Sequence, residues 1–98
     1  MMLWPKKYVE VAANGHLVVN WPGAGHSFYV LLCGWLRLRH DLRPRGQAVY
    51  STDDVILPDL VGVDVRLKSG WDNWSGYYLL SEDHPGDLFL RQTLAQGA

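Results

Sequence analysis

Apolar and polar side chains alternate with a period of two at the start of the chain. Residues 8–13, with Val9 and Val11 set against Glu10, read as a strand. Residues 16–21, carrying Leu17, Val19 and Trp21, read as a second strand. Asn14-Gly15 between them is a strong hairpin signal, because both residues tolerate the positive φ that a two-residue turn demands. Pro22, Gly23 and Gly25 then break the pattern.

Residues 27–39 fit two periods. With period two, Phe28, Val30, Leu32, Leu36 and Leu38 share a face, and Leu36-Arg37-Leu38-Arg39 alternates cleanly. With helical period, Phe28, Leu31, Trp35, Leu38 and Leu42 form a stripe. The alternation and the flanking glycines favour a strand. A turn or loop is expected at Arg43-Pro44-Arg45-Gly46, and a short strand at Ala48-Val49-Tyr50. Val55-Ile56-Leu57 before Pro58 reads as an edge segment, since proline cannot donate to a ladder. Val61, Val63, Val65 and Leu67 alternate with Gly62, Asp64, Arg66 and Lys68, which predicts one half-buried strand with its valines inward. A loop over residues 69–75 leads to a partner strand over residues 76–81.

The carboxyl-terminal stretch reads as a helix. Glu82, Asp83 and Asp87 lie near its start, where carboxylates complement the macrodipole, and Pro85 is tolerated only in the first turn. Phe89, Leu90, Thr93 and Leu94 fall on one side. Strands followed by a helix predict an α+β fold, a small meander-like antiparallel sheet with the helix packed on one face.

The 98 residues make one domain, residues 1–98. At this size about two-thirds of the unfolded chain's surface is buried on folding. With 48% hydrophobic and 19% charged residues, disorder is excluded on composition. The single cysteine, Cys33, excludes an internal disulfide and agrees with a reducing compartment. Met1 to Lys7 lack the order of a leader peptide. The longest apolar run, Phe28 to Leu36, has nine residues against the roughly twenty a membrane span needs. A cytoplasmic protein with no membrane association is therefore expected. The net charge of −1 hides an asymmetry: residues 1–49 hold six Lys and Arg against two carboxylates, whereas residues 50–98 hold three against eight.

Four groups could carry chemistry. Trp71-Asp72-Asn73-Trp74 with Tyr77 reads first as an Asx-type turn whose tryptophans fold over the core, and second as an aromatic binding tip, large rigid rings oriented by polar neighbours. Arg37, Arg39, Arg43 and Arg45 could bind phosphates, but the chain is not basic overall, so a solvated surface is expected and nucleic acid is not. His16, His26, His40 and His84 show no metal-ligand spacing, and no metal or other cofactor is expected. Cys33 in an apolar run reads as buried and inert, and Ser27 and Ser51 lack the glycines of a nucleophile elbow. Asp53-Asp54 are adjacent, but adjacency does not aim two acids at one bond.

No catalytic residue is therefore assigned. The expected function is a non-enzymatic protein-binding inhibitor of bacterial or phage type, such as an immunity protein that neutralises a basic toxin or nuclease. Its binding residues would be the anchors Trp71, Trp74 and Tyr77, the orienting Asp72 and Asn73, and an acidic rim of Glu82, Asp83 and Asp87 that steers the partner. The alternatives are a carbohydrate- or nucleotide-binding module using Trp71, Trp74 and Tyr77, and an enzyme acting through His40, His84 and Asp87.

Overall fold

The structure, a computed structural model, describes residues 5–94. Residues 1–4, which open the stretch read for a leader, and residues 95–98 lie outside it. The described residues form seven strands and two helices. The strands are β1 (Tyr8–Val11), β2 (Leu17–Trp21), β3 (Arg43–Arg45), β4 (Val49–Tyr50), β5 (Asp54–Val61), β6 (Arg66–Asp72) and β7 (Gly76–Ser81). The helices are α1 (His26–His40) and α2 (His84–Thr93). One antiparallel sheet runs in the order β1-β2-β7-β6-β5-β3, with β4 also paired to β5. The fold is α+β with the carboxyl-terminal helix on one face of the sheet, as the sequence predicts.

Both helices pack on the same face. Val19, Trp21, Leu60, Leu67 and Leu79 from the strands join Leu32 and Leu36 of α1 and Leu90 and Leu94 of α2 in one core. Phe89 is half-buried beside them. Asp83 caps α2, its Oδ1 accepting the Gly86 N–H at 2.8 Å.

The β1–β2 hairpin forms, with Val11 opposite Leu17. Its turn differs from the two-residue expectation: Gly15 N–H bonds Ala12 O at 2.9 Å and Ala12 N–H bonds His16 O at 2.8 Å, which closes a three-residue loop. Gly15 alone adopts positive φ. Asn14 contributes through its side chain, Oδ1 accepting the His16 N–H and Nδ2 donating to Ser81 O.

Residues 27–39 are helical, which corrects the strand reading. Thirteen residues without a turn signal exceed a typical strand, and length outweighs a short alternation. The helical stripe expected above is also displaced. Tyr29, Leu32 and Leu36 are buried, whereas Leu31 is 53% and Leu38 87% exposed. The helix ends at Asp41, the one non-glycine residue with positive φ among those described.

Residues 61–67 are not one strand. Val61 ends β5, Arg66 begins β6, and Gly62 N–H bonds Val65 O at 2.8 Å across a tight turn. Val63 at its tip is 93% exposed, while Val61 and Val65 are half-buried. Alternation persists through a reversal of this kind, so the pattern alone does not reveal it. Ser69–Asp72, expected as loop, therefore belong to β6, and Arg43–Arg45, expected as turn, form the short edge strand β3. Val55, Ile56 and Leu57 lie in β5, which is flanked on both sides. Pro58 is accommodated there by a bulge: the register passes from Leu57↔Ser69 to Leu60↔Leu67.

The path of α1 sets up the site. It leaves β2 and must reach β3, four strand intervals away. Its 15 residues span roughly 22 Å at about 1.5 Å each, against roughly 19 Å of sheet. It crosses diagonally, from Phe28 against Trp21 at one end of the strands to Leu42 beside Gly62 at the other. A diagonal helix leaves two corners of the sheet face open. The α2 helix, packed on β2 and β7, fills one. The other lies over β6, β5 and β4.

Candidate binding site

At the open corner the strand registers align one row of side chains. Trp21 stands opposite Tyr77, Tyr77 opposite Trp71, Trp71 opposite Val55, and Val55 opposite Tyr50. Side chains at directly paired positions leave the sheet on the same face, so the five form a continuous shelf. Trp21 is fully buried under α1, Tyr77 and Trp71 are half-buried, and Tyr50 is 75% exposed. Beside the first residue of α1, His26, the shelf opens into a cleft of about 190 Å³, lined by His26, Tyr50, Val55, Leu57, Trp71 and Tyr77.

The cleft has one rigid wall. Tyr29 stacks on Tyr77, with ring centroids 5.1 Å apart and planes 19° apart. Tyr29 is itself fixed, since its hydroxyl donates to Ser69 Oγ at 2.9 Å while Ser69 Oγ donates to Pro58 O at 2.8 Å. His26 Nδ1 lies 3.3 Å from the Tyr77 hydroxyl. Burial, then the neighbouring Tyr50, pushes the Tyr77 phenol above its ordinary pKa, so it stays neutral.

The β6–β7 tip projects beside the cleft. Asp72 Oδ1 accepts the N–H groups of Trp74 at 2.9 Å and Ser75 at 2.5 Å, closing an Asx turn. Gly76 completes the reversal with φ 69°, where a Cβ would meet the backbone of Trp21. Asn73 ties the tip to the start of β5, its N–H donating to Asp53 O at 3.3 Å. Trp74 is 80% exposed and is not part of the cleft lining.

Of the residues singled out in the sequence, the structure thus joins Trp71 and Tyr77 in one cleft and places Asp72, Asn73 and Trp74 at the adjoining tip. Glu82, Asp83 and Asp87 lie past the far end of β7, beyond the Leu67–Ser81 pair. That is more than roughly 17 Å from the Asp72–Gly76 pair, at about 3.3 Å per residue. Asp83 is the α2 cap, and Asp87 accepts the Leu17 N–H and pairs with His16 at 2.8 Å. The carboxylates that do flank the tip are Asp53, Asp54 and Asp72. Asp54 and Asp72 occupy directly paired positions, Asp54 accepting the Ser51 hydroxyl and Asp72 the N–H groups of the tip. In the sequence Asp53 and Asp54 stand out only as an adjacent pair within the acidic second half, and Tyr50 and His26 do not stand out as site residues, because their approach to Trp71 depends on register and on the path of α1.

The remaining candidates lie elsewhere. Arg37 and Arg39 are exposed on the last turn of α1, and Arg43 and Arg45 on the edge strand β3, at the end of the sheet away from the tip. An open depression of about 280 Å³ lies there, lined by Asp41, Arg43, Arg45, Val61, Gly62 and Val63. His40 packs edge-on against Trp35 and Phe89. Cys33 is half-buried rather than buried, and burial pushes its thiol above the ordinary pKa. Among the described residues there is no cluster of three His, Cys, Asp or Glu able to hold a metal ion, and no helix long and apolar enough to cross a membrane. No family model, curated protein or solved structure matches the chain.

Proposed function

We propose that the chain is a non-enzymatic binding protein, an inhibitor of the immunity-protein type, which holds a basic protein partner such as a toxin or nuclease at the aromatic end of its sheet. The observation that carries this reading is Trp74, a tryptophan 80% exposed on a tip whose backbone is clamped by the Asp72 carboxylate. A large apolar ring held in water on a rigid turn has the character of a binding anchor, because little conformational freedom is lost when a partner covers it. Asp53, Asp54 and Asp72 supply the acidic rim in this reading, in place of Glu82, Asp83 and Asp87. Asp54 and Asp72, at paired positions of β5 and β6, present two carboxylates to a cationic surface.

The carbohydrate or nucleotide reading needs Trp71, Trp74 and Tyr77 on one platform, and Trp74 stands apart from the other two. The catalytic reading needs His40, His84 and Asp87 to act together, whereas Asp87 pairs with His16 and His40 packs edge-on against Trp35 and Phe89.

Paired capture from the native host tests the proposal. The wild-type chain should retain one protein at stoichiometric yield, and a folded Trp74→Ala variant should lose it. Equal retention by both would refute the tip as the anchor.

A further inference from the structure

We propose that the cleft beside Trp74 is a socket for one arginine side chain of the protein partner, an inference that rests on the function proposed above and names the chemistry the partner must bring. The cleft is bounded by aromatic groups, Trp71, Tyr77, Tyr50 and His26, over a short aliphatic patch of Val55 and Leu57. Its volume of about 190 Å³ is that of a single planar group, since an apolar cavity of roughly 150 Å³ takes one benzene ring. The electrostatics select which planar group. The lining holds no Lys, Arg or carboxylate, and its one basic side chain, His26, has Nδ1 against the Tyr77 hydroxyl. The row next to Trp71 and Val55 on the same strands is the carboxylate pair Asp72 and Asp54, with Asp53 adjoining. By strand alternation these two side chains leave from the opposite face, so they bias the approach of a cation without lining the cleft. The ring faces then receive it. Trp and Tyr rings attract a cation through their quadrupole, and the flat guanidinium stacks on them while its stem covers aliphatic surface.

The socket is built in advance on one side and adaptable on the other. Tyr77 is held by its stack on Tyr29 and its contact with His26, and Trp71 is half-buried in β6. Tyr50, on the two-residue strand β4, is the exposed wall that can close over a guest. Trp74 inserting into the partner and an arginine of the partner entering the cleft would make a reciprocal pair of anchors at adjoining places.

The test uses the full chain and two small probes, N-acetyl-arginine amide and N-acetyl-citrulline amide, which share shape but differ in charge. Signals of the Trp71 indole N–H and of the Tyr50 and Tyr77 rings are followed by NMR. The arginine probe should give saturable shifts, and the citrulline probe should bind about two- to fivefold more weakly, the range of an exposed cation–π contact. Tyr50→Ala, at a site 75% exposed and so safe for folding, should weaken the arginine probe more than the citrulline probe. Equal binding of the two probes, no saturable shift, or tighter binding of adenosine or methyl glucoside at the same signals would overturn the socket. The two proposals fail separately. Trp74-dependent capture with a cleft indifferent to arginine removes the socket and keeps the tip, whereas capture indifferent to Trp74 removes the tip whatever the probes do.

Discussion

The Asp87 carboxylate lies 2.8 Å from His16 Nδ1 and accepts the Leu17 N–H at 2.9 Å, fastening α2 to the start of β2. The hydrogen bond to His16, then that to Leu17, holds its pKa down to about 2. A carboxylate whose folded pKa lies below its unfolded value stabilises the fold above the ordinary value near 3.9, and that contribution is lost as pH falls toward the folded pKa. The melting temperature should therefore fall between about pH 5 and pH 2, and Asp87→Asn should fall less steeply over that window. Parallel curves for the two proteins would show that this carboxylate does not couple folding to protons. The role was not legible in the sequence, where Asp87 is one of several acids near a helix start and its partners lie 70 and 71 residues away. Cys33 was legible in part. Its apolar neighbours announce a shielded thiol, and the half-buried, pKa-raised group should label slowly with thiol reagents at neutral pH. Rapid stoichiometric labelling would contradict that.

At the scale of elements, the parts with a local stop or start signal were legible and the parts decided by topology were not. The Asn14-Gly15 reversal and the capped start of α2 at Asp83 depend on residues within a few positions of one another, and both stand in the structure. The α1 helix and the turn at Val63 depend on where the chain must go next. The sheet order obliges residues 26–40 to cross from β2 to β3, which a strand in that run would not do. The buried face of α1 yields a discriminating experiment. Leu36 is fully buried and Leu38 is 87% exposed, although a period-two reading puts both on one face. Leu36→Ala should cost about 2–5 kcal/mol in chemical denaturation, the range for a large-to-small change in a core. Leu38→Ala should stay within about 0.5 kcal/mol, as surface substitutions do. Comparable losses at both positions would return the segment to a strand. Leu90→Ala, on the fully buried face of α2, should likewise cost about 2–5 kcal/mol.

Over the whole molecule, the charge asymmetry between the two halves of the sequence does not become an asymmetry between the two ends of the sheet. Asp53, Asp54 and Asp72 stand at the Trp74 end, whereas at the opposite end Arg37, Arg39, Arg43 and Arg45 are interspersed with Asp41, Asp59, Asp64, Glu82, Asp83 and Asp87. Under the proposed function, the local acidic cluster at the tip would act on the rate of encounter with a basic partner, whereas the ring that the partner covers would act on the lifetime of the complex. The two effects separate by mutation. Trp74→Ala should raise the dissociation rate by the equivalent of about 2 kcal/mol and leave association nearly unchanged. A double change, Asp53→Asn with Asp54→Asn, should slow association and flatten its dependence on ionic strength, with little effect on dissociation. Asp72 is left intact in this design because its carboxylate closes the tip, and altering it would disturb the anchor together with the charge. Association rates measured from low to high salt for the captured partner decide the matter. A wild-type rate indifferent to salt would eliminate steering by the acidic end. A Trp74→Ala dissociation rate equal to wild type would eliminate the anchor.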